Sequence, residues 1–219
     1  MYLTHMALNP GRRSTRELLA TPQRVHAAVL TAFVPGTAGL GRILWRVDNP
    51  ERHRLDLYIV SPVEPSLEAM ADQAGWPSQP IWRTADYRRF LDRLEDGQSG
   101  QFRLRANPIK SVRPEGGGRG DRVPLTRVDD QAAWLTSRGH ALGFDVVDGE
   151  HGPNLRVVER RTERFRRGGA AGRAVSWGTA AFEGVLKVSD AARLREVLPA
   201  GIGTAKGYGC GLMTLARPQ

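Results

Sequence analysis

Five histidines, His5, His26, His53, His140 and His151, are the side chains of this sequence suited to proton transfer near neutral pH, since an unperturbed imidazole titrates at about 6.5. They are scattered along the chain. The single cysteine, Cys210, excludes an internal disulfide and any zinc site built on several thiolates, and it reads as a small buried hydrophobe. His53 and His140 fall in expected turns or helix ends, and His151 in the polar stretch DGEHGPN. His26 lies in RVHAAVL, a segment of helical periodicity, about 100° round from Val25 and so on the shoulder of its apolar stripe. A shoulder position can reach a cleft at a domain edge, although a lone helical histidine is more often structural.

The densest run is GIGTAKGYGCG, residues 201–211, where five of eleven residues are glycine. Such spacing lets backbone N–H groups approach phosphate with no Cβ in the way. It is not a dinucleotide fingerprint. The glycines follow G-x-G-x-x-x-G, and the eight residues after Gly211 are too few for a βαβ unit. No Gly-Lys-Ser/Thr occurs, which excludes a P-loop. Lys206, one of three lysines, stands in the middle of the run; a purely structural tight turn is the alternative.

Lys and Arg total 32 against 23 Asp and Glu, a net charge of +9, which points to a polyanionic partner such as nucleic acid. Residues 151–219 hold 12 basic and 5 acidic residues, and seven arginines lie between Arg156 and Arg173 in RVVERRTERFRRGGAAGR. Because GGAAG interrupts the run and apolar residues flank it, an arginine-tipped hairpin fits better than a helix face. That shape can enter a groove between phosphates; a solvated loop is the alternative.

The elements that must position these groups follow from pattern. Tyr2–Leu8 alternates as a strand, Thr21-Pro22 caps a helix, and Val25, Ala28, Val29, Ala32 and Phe33 give it one apolar stripe. Strands at Arg42–Val47 and Leu55–Val60, a helix at Leu67–Ala74 and a strand near Ile81–Arg83 complete a β-α-β-β-α-β order, the ferredoxin-like arrangement. After a break at GQSG, residues 97–100, the order recurs. A strand is expected at Gln101–Lys110, a helix over VDDQAAWLTSRGHALG, strands around Leu155–Val158 and Ala180–Val188, a helix at Asp190–Leu198 capped by Ser189 or Asp190, and a strand at Leu212–Ala216. The fold class is therefore α+β, two tandem ferredoxin-like domains over 1–96 and 97–219, the second carrying the arginine hairpin and the glycine-rich loop. The GGGRGD core of Arg113–Arg122 is expected to be mobile. No apolar core long enough for a signal peptide and no membrane span are seen, so a cytoplasmic protein is expected.

Five segments, FRLRANPIKSV (102–112), RVPL (122–125), QAAWL (131–135), FEGVLKVSD (182–190) and GIGTAKGYGCGLMTLA (201–216), with the opening MYLT and the helical histidine of RVHAAVL, together resemble the CasE family. These are the CRISPR RNA-processing endoribonucleases of type I-E systems. The resemblance implies tandem ferredoxin-like domains that bind the repeat hairpin of a precursor CRISPR RNA. It implies cleavage at the hairpin base without metal or cofactor, and retention of the mature RNA within the Cascade complex, beside the backbone protein near the RNA's 3′ hairpin. It also assigns His26 to the family's catalytic histidine. The family often has a tyrosine three residues earlier, where this chain has Gln23, which could still donate a hydrogen bond to phosphate.

Cleavage of this kind uses the substrate's 2′-hydroxyl as nucleophile, so a proton must leave that oxygen, one must reach the departing 5′-oxygen, and phosphoryl charge must be stabilised. Arg24 and Lys206 are the candidates for that charge, with ordinary solvated cations as the alternative. For RNA binding the candidates are Arg103, Arg105 and Lys110 around ANPIK, Arg166, Arg167 and Arg173 in the hairpin, and Gly203, Gly207 and Gly209 in the loop. A-form RNA hides its base edges in a deep major groove, so shape and phosphates should be read first. The paired aromatics of an RRM are absent, so base stacking is not the expected principal mode. A non-catalytic RNA-binding subunit and, more distantly, a nucleotide-binding metabolic enzyme are the competing readings.

Overall fold

The computed structural model describes residues 1–51, 53–77, 82–113, 120–150, 152–167 and 173–217, with backbone alone for residues 38, 163–167 and 173–176. Alternation makes the first strand: in β1 (Tyr2–Leu8), Thr4, Met6 and Leu8 are buried and their neighbours only partly so. A short helix absent from the expectation follows, α1 (Arg13–Leu19). At seven residues it is too short for a periodic signal, and packing fixes it: Thr15 is buried and its hydroxyl donates to the Ala74 carbonyl at 3.4 Å. The helix α2 (Pro22–Thr31) begins as its sequence dictates, with Pro22 in the first turn and the Thr21 side chain accepting from the Arg24 N–H.

Then come β2 (Leu44–Glu51), β3 (Arg54–Ser61), α3 (Glu68–Ala74), β4 (Trp82–Asp86) and the single turn α4 (Arg88–Leu91). The sheet runs β2-β3-β1-β4 with all neighbours antiparallel, the ferredoxin-like order. Met6, Leu8, Trp45, Leu57 and Ile59 from the strands pack with Leu18, Val25, Val29 and Met70 from the helices in one core. Of the strand expected near Ile81–Arg83, Ile81 lies outside the described residues.

The second unit repeats the plan with a longer second hairpin. Its elements are β5 (Ser99–Ala106), β6 (Ile109–Val112), β7 (Asp121–Pro124), α5 (Val128–Gly139), β8 (Phe144–Val146), β9 (Asp148–Gly149), β10 (Gly152–Pro153), β11 (Leu155–Arg167), β12 (Arg173–Val188), α6 (Ala191–Ala200) and β13 (Met213–Ala216). The main sheet runs β11-β12-β5-β13, with β8 also on β12. Phe102, Leu104, Trp134, Phe144, Phe182 and Leu186 are buried in its core.

Three expectations change. The strand Gln101–Lys110 breaks at Asn107-Pro108, because proline has no N–H for the ladder; β6 instead pairs with β7. The arginine run is mostly strand, since β11 and β12 pair up to Arg167 opposite Arg173. The GGAAG segment, like the GGGRGD stretch as far as residue 119, lies outside the described residues. The domain division also differs. One compact unit comprises Met1–Leu94 with Pro199–Gly201 and Ala205–Leu212, and the other Glu95–Leu198, Ile202–Thr204 and Met213–Gln219. Most of the glycine-rich loop thus belongs to the first unit, where a Cβ on Gly201 would stand 2.9 Å from Leu44 Cδ2.

Candidate active site and nucleic-acid surface

His26 sits one residue past the buried Val25 on α2 and is half-buried, as its shoulder position requires. On the strand β2, Trp45 turns toward the helices and joins their core. Its indole Nε1–H donates to His26 Nδ1 at 3.3 Å. Burial lowers the pKa of the imidazole, because the charged form loses hydration. Gly207 lies against the other edge of the ring: a Cβ there would be 3.5 Å from His26 Nε2. Gly209 lies against Trp45 itself. It has φ +79°, and a Cβ would meet Trp45 Cζ3 at 2.7 Å, so a side chain is excluded twice over. The loop, the indole and the imidazole form one packed series within the first unit.

The other proposed catalytic residues are placed around this centre. Gln23 is three residues before His26 on α2, and both polar atoms of its amide are buried without a partner among the described residues. Arg24 is exposed, with its guanidinium folded back to donate to the Glu17 carbonyl at 2.9 Å. Lys206 opens a 3-10 turn, Lys206–Tyr208, and donates through Nζ to the Ala200 carbonyl at 2.7 Å. Burial, and then Arg42, lower its pKa. Trp45 escaped the sequence reading. Nothing in its spacing distinguishes it from any core aromatic on an alternating strand.

The remaining histidines are elsewhere. His5 points to the opposite sheet face, where Nε2 meets Asp56 Oδ1 at 2.7 Å and the ring lies 5.0 Å from that of Tyr58. His140 is exposed, 3.4 Å from Asp145; His53 is exposed in a turn, and His151 lies outside the described residues.

In the second unit, Arg103 and Arg105 alternate with buried Phe102 and Leu104 and so share the other face of the sheet, where both are half-buried. Arg103 faces Glu183 across the strands and is ion-paired with it, and Arg156 reaches the same carboxylate at 3.5 Å. Arg105 donates to Thr179 Oγ1 at 3.4 Å. Phosphate at this face would therefore meet arginines already oriented by protein oxygens. Lys110 is exposed on β6. Asn107 of the ANPIK segment donates to Thr204 Oγ1 at 3.2 Å, and Gly203 packs near the Trp134 ring. Only backbone is described for Arg166, Arg167 and Arg173, which lie at the far end of the β11–β12 ladder.

Residues 1–217 match the family described as CRISPR associated protein. The CRISPR-associated endoribonuclease Cse3 of Thermus thermophilus is 31% identical over 223 residues, 99% of this chain and 100% of that protein. The CRISPR system Cascade subunit CasE of Escherichia coli is 36% identical over 131 residues, 56% of this chain and 60% of that protein. A solved structure of CRISPR endoribonuclease Cse3 bound to 19 nt RNA has a TM-score of 0.80 to this chain at 30% identity, covering 98% of each.

Proposed function

The chain belongs to the CRISPR-associated protein family, and from that premise we propose that it is a metal-independent endoribonuclease. It cuts the repeat hairpin of precursor CRISPR RNA and keeps the processed RNA, in the cytoplasm, as a subunit of a Cascade complex. The substrate's 2′-oxygen forms a bond to phosphorus and loses its proton, while the bond to the 5′-oxygen breaks and that oxygen gains one. His26 presents its imidazole to the scissile phosphate. Lys206 and Arg24 offset the phosphoryl charge, and the Gln23 amide hydrogen-bonds to a phosphate oxygen. The arginines of β5 and of the β11–β12 hairpin, with Lys110 and the loop glycines, hold the RNA.

The observation that supports this reading is the His26 side chain, oriented by Trp45 at one nitrogen and facing a glycine at the other. A structural core histidine needs no such open edge. A second reading, a binding subunit that does not cut, draws on Gln23 standing where the family often has tyrosine. A labelled repeat hairpin incubated with the protein in EDTA separates the two. Cleavage supports the nuclease, whereas a stable shift without cleavage, in EDTA and in magnesium alike, supports the binder.

A further inference from the structure

The bond between Trp45 and His26 has a direction. An indole N–H can only donate, so Nδ1 of His26 accepts and carries no proton. The neutral ring then holds its one proton on Nε2, the nitrogen that faces Gly207. A histidine that works as a base needs the reverse, a bare nitrogen toward the substrate and usually a carboxylate behind it. Among the described residues the histidines paired with carboxylates are His5 and His140. Behind His26 stands a donor.

The surroundings agree. The elements against the ring are its own helix, which carries Gln23 and Arg24, the strand β2 through Trp45, and the turn Lys206–Tyr208 within the glycine-rich loop. Arg46, next along β2, points to the opposite face and bonds to Asp48. The ionisable groups of the helix and turn are thus two cations and a phenol, which give a second proton on the imidazole no support. Accepting a proton at Nδ1 would also set the indole N–H against another N–H. A neutral imidazole of this kind acts through its N–H, as an electrophile toward developing charge.

We infer that Trp45 is a positioning residue for the cleavage reaction: its indole N–H holds His26 neutral with the proton on Nε2, so that the ring meets the scissile phosphate as a hydrogen-bond donor and not as a base. This rests on the nuclease reading above. It is, however, a statement about this chain's own tautomer and can be tested without turnover. An unpaired buried indole N–H is costly enough to bias the tautomer ratio by about tenfold or more. Gly207 has the complementary part, leaving the Nε2 edge open for an acceptor oxygen.

The test combines two measurements on the full chain. Two-bond proton–nitrogen NMR of the free protein, with His26→Ala to assign the resonances, reads which ring nitrogen carries the proton. In the wild type it should be Nε2, and in Trp45→Phe the tautomers should mix and the ring's pKa should rise. Single-turnover cleavage of the repeat hairpin in EDTA should slow by about tenfold in Trp45→Phe with hairpin affinity within about twofold. A proton on Nδ1 in the wild type overturns the inference, and that measurement needs no variant to fold. So does a correctly folded Trp45→Phe that cuts as fast as wild type or faster, since a base freed from the indole would gain. Should His26→Ala cut at the wild-type rate, the nuclease site itself is misplaced, a failure distinct from a wrong tautomer.

Discussion

His26 and Gln23 share one helical face and differ in what they can do in the proposed reaction. The imidazole has an oriented donor nitrogen, whereas the amide offers only a polar contact. His26→Ala should therefore lower single-turnover cleavage by at least ~10²-fold, the low end for one acid–base or oxyanion-stabilising group. Hairpin affinity should hardly change, because one neutral imidazole adds little beside many arginine–phosphate contacts. Gln23→Ala should cost much less, and its unpartnered amide means that Gln23→Leu should not destabilise the fold. Rates and binding constants measured together decide this, and equal losses in both variants would refute the ranking. The pH dependence of stability gives an independent reading. Burial holds the folded pKa of His26 below its unfolded value near 6.5, so the unfolded chain binds more protons between the two. Stability should fall as pH drops from about 6.5 through the folded pKa, and the fall should be shallower in His26→Gln. Parallel urea curves at each pH would show it.

At the scale of elements, β2 does two jobs with adjacent residues. Trp45 faces α2 and the loop, while Arg46 faces the other way and is 1% exposed, clamped by both oxygens of Asp48 at 2.8 Å and by the Leu212 carbonyl at 2.9 Å. Asp48→Ala leaves that guanidinium buried without its counter-charge and should destabilise the first unit by about 3–5 kcal/mol, read by denaturant unfolding. Joint replacement of Arg46 and Asp48 by Met and Leu should recover most of the loss. The loop glycines divide similarly. Gly209→Ala forces both a left-handed φ and a contact with Trp45, so it should lower stability and cleavage together. Gly207→Ala meets only an ordinary 3.5 Å contact at Nε2. It should fold normally and cut about tenfold more slowly, because the added methyl fills the place of an acceptor oxygen. A Gly207→Ala protein with full activity would mean that no substrate atom approaches that edge.

Over the whole molecule, the +9 charge should dominate affinity through counterion release. Replacing Arg166 and Arg167 together by alanine should lower the slope of log K against log salt by about one to two units. Filter-binding isotherms between low and moderate salt measure that slope, and an unchanged value would remove this end of the hairpin from the RNA surface. Arg103 is ion-paired with Glu183. Its replacement should alter the slope less than its charge implies, because RNA must compete with a carboxylate already in place.

Alternation, capping and helical spacing are local signals, and they were enough for the order of the main strands and helices of each unit, though not for the seven-residue α1. Thr21-Pro22 started α2, the stripe from Val25 placed His26 on its shoulder, and alternation in Tyr2–Leu8 and Leu55–Val60 marked the strands that became neighbours β1 and β3. Charge was legible for the same reason, since it sums along the chain whatever the fold. What the sequence could not specify were relations between residues far apart in it. The partner of His26 is Trp45 on β2, and the other edge of its ring faces a glycine some 180 residues later — contacts made by packing, with no periodicity to announce them. The glycine-rich loop read as either a phosphate cradle or a structural tight turn, and the tertiary structure sets Gly209 against a tryptophan and gives most of the loop to the first unit. Glycine spacing records that something approaches closely. Only the folded chain decides what.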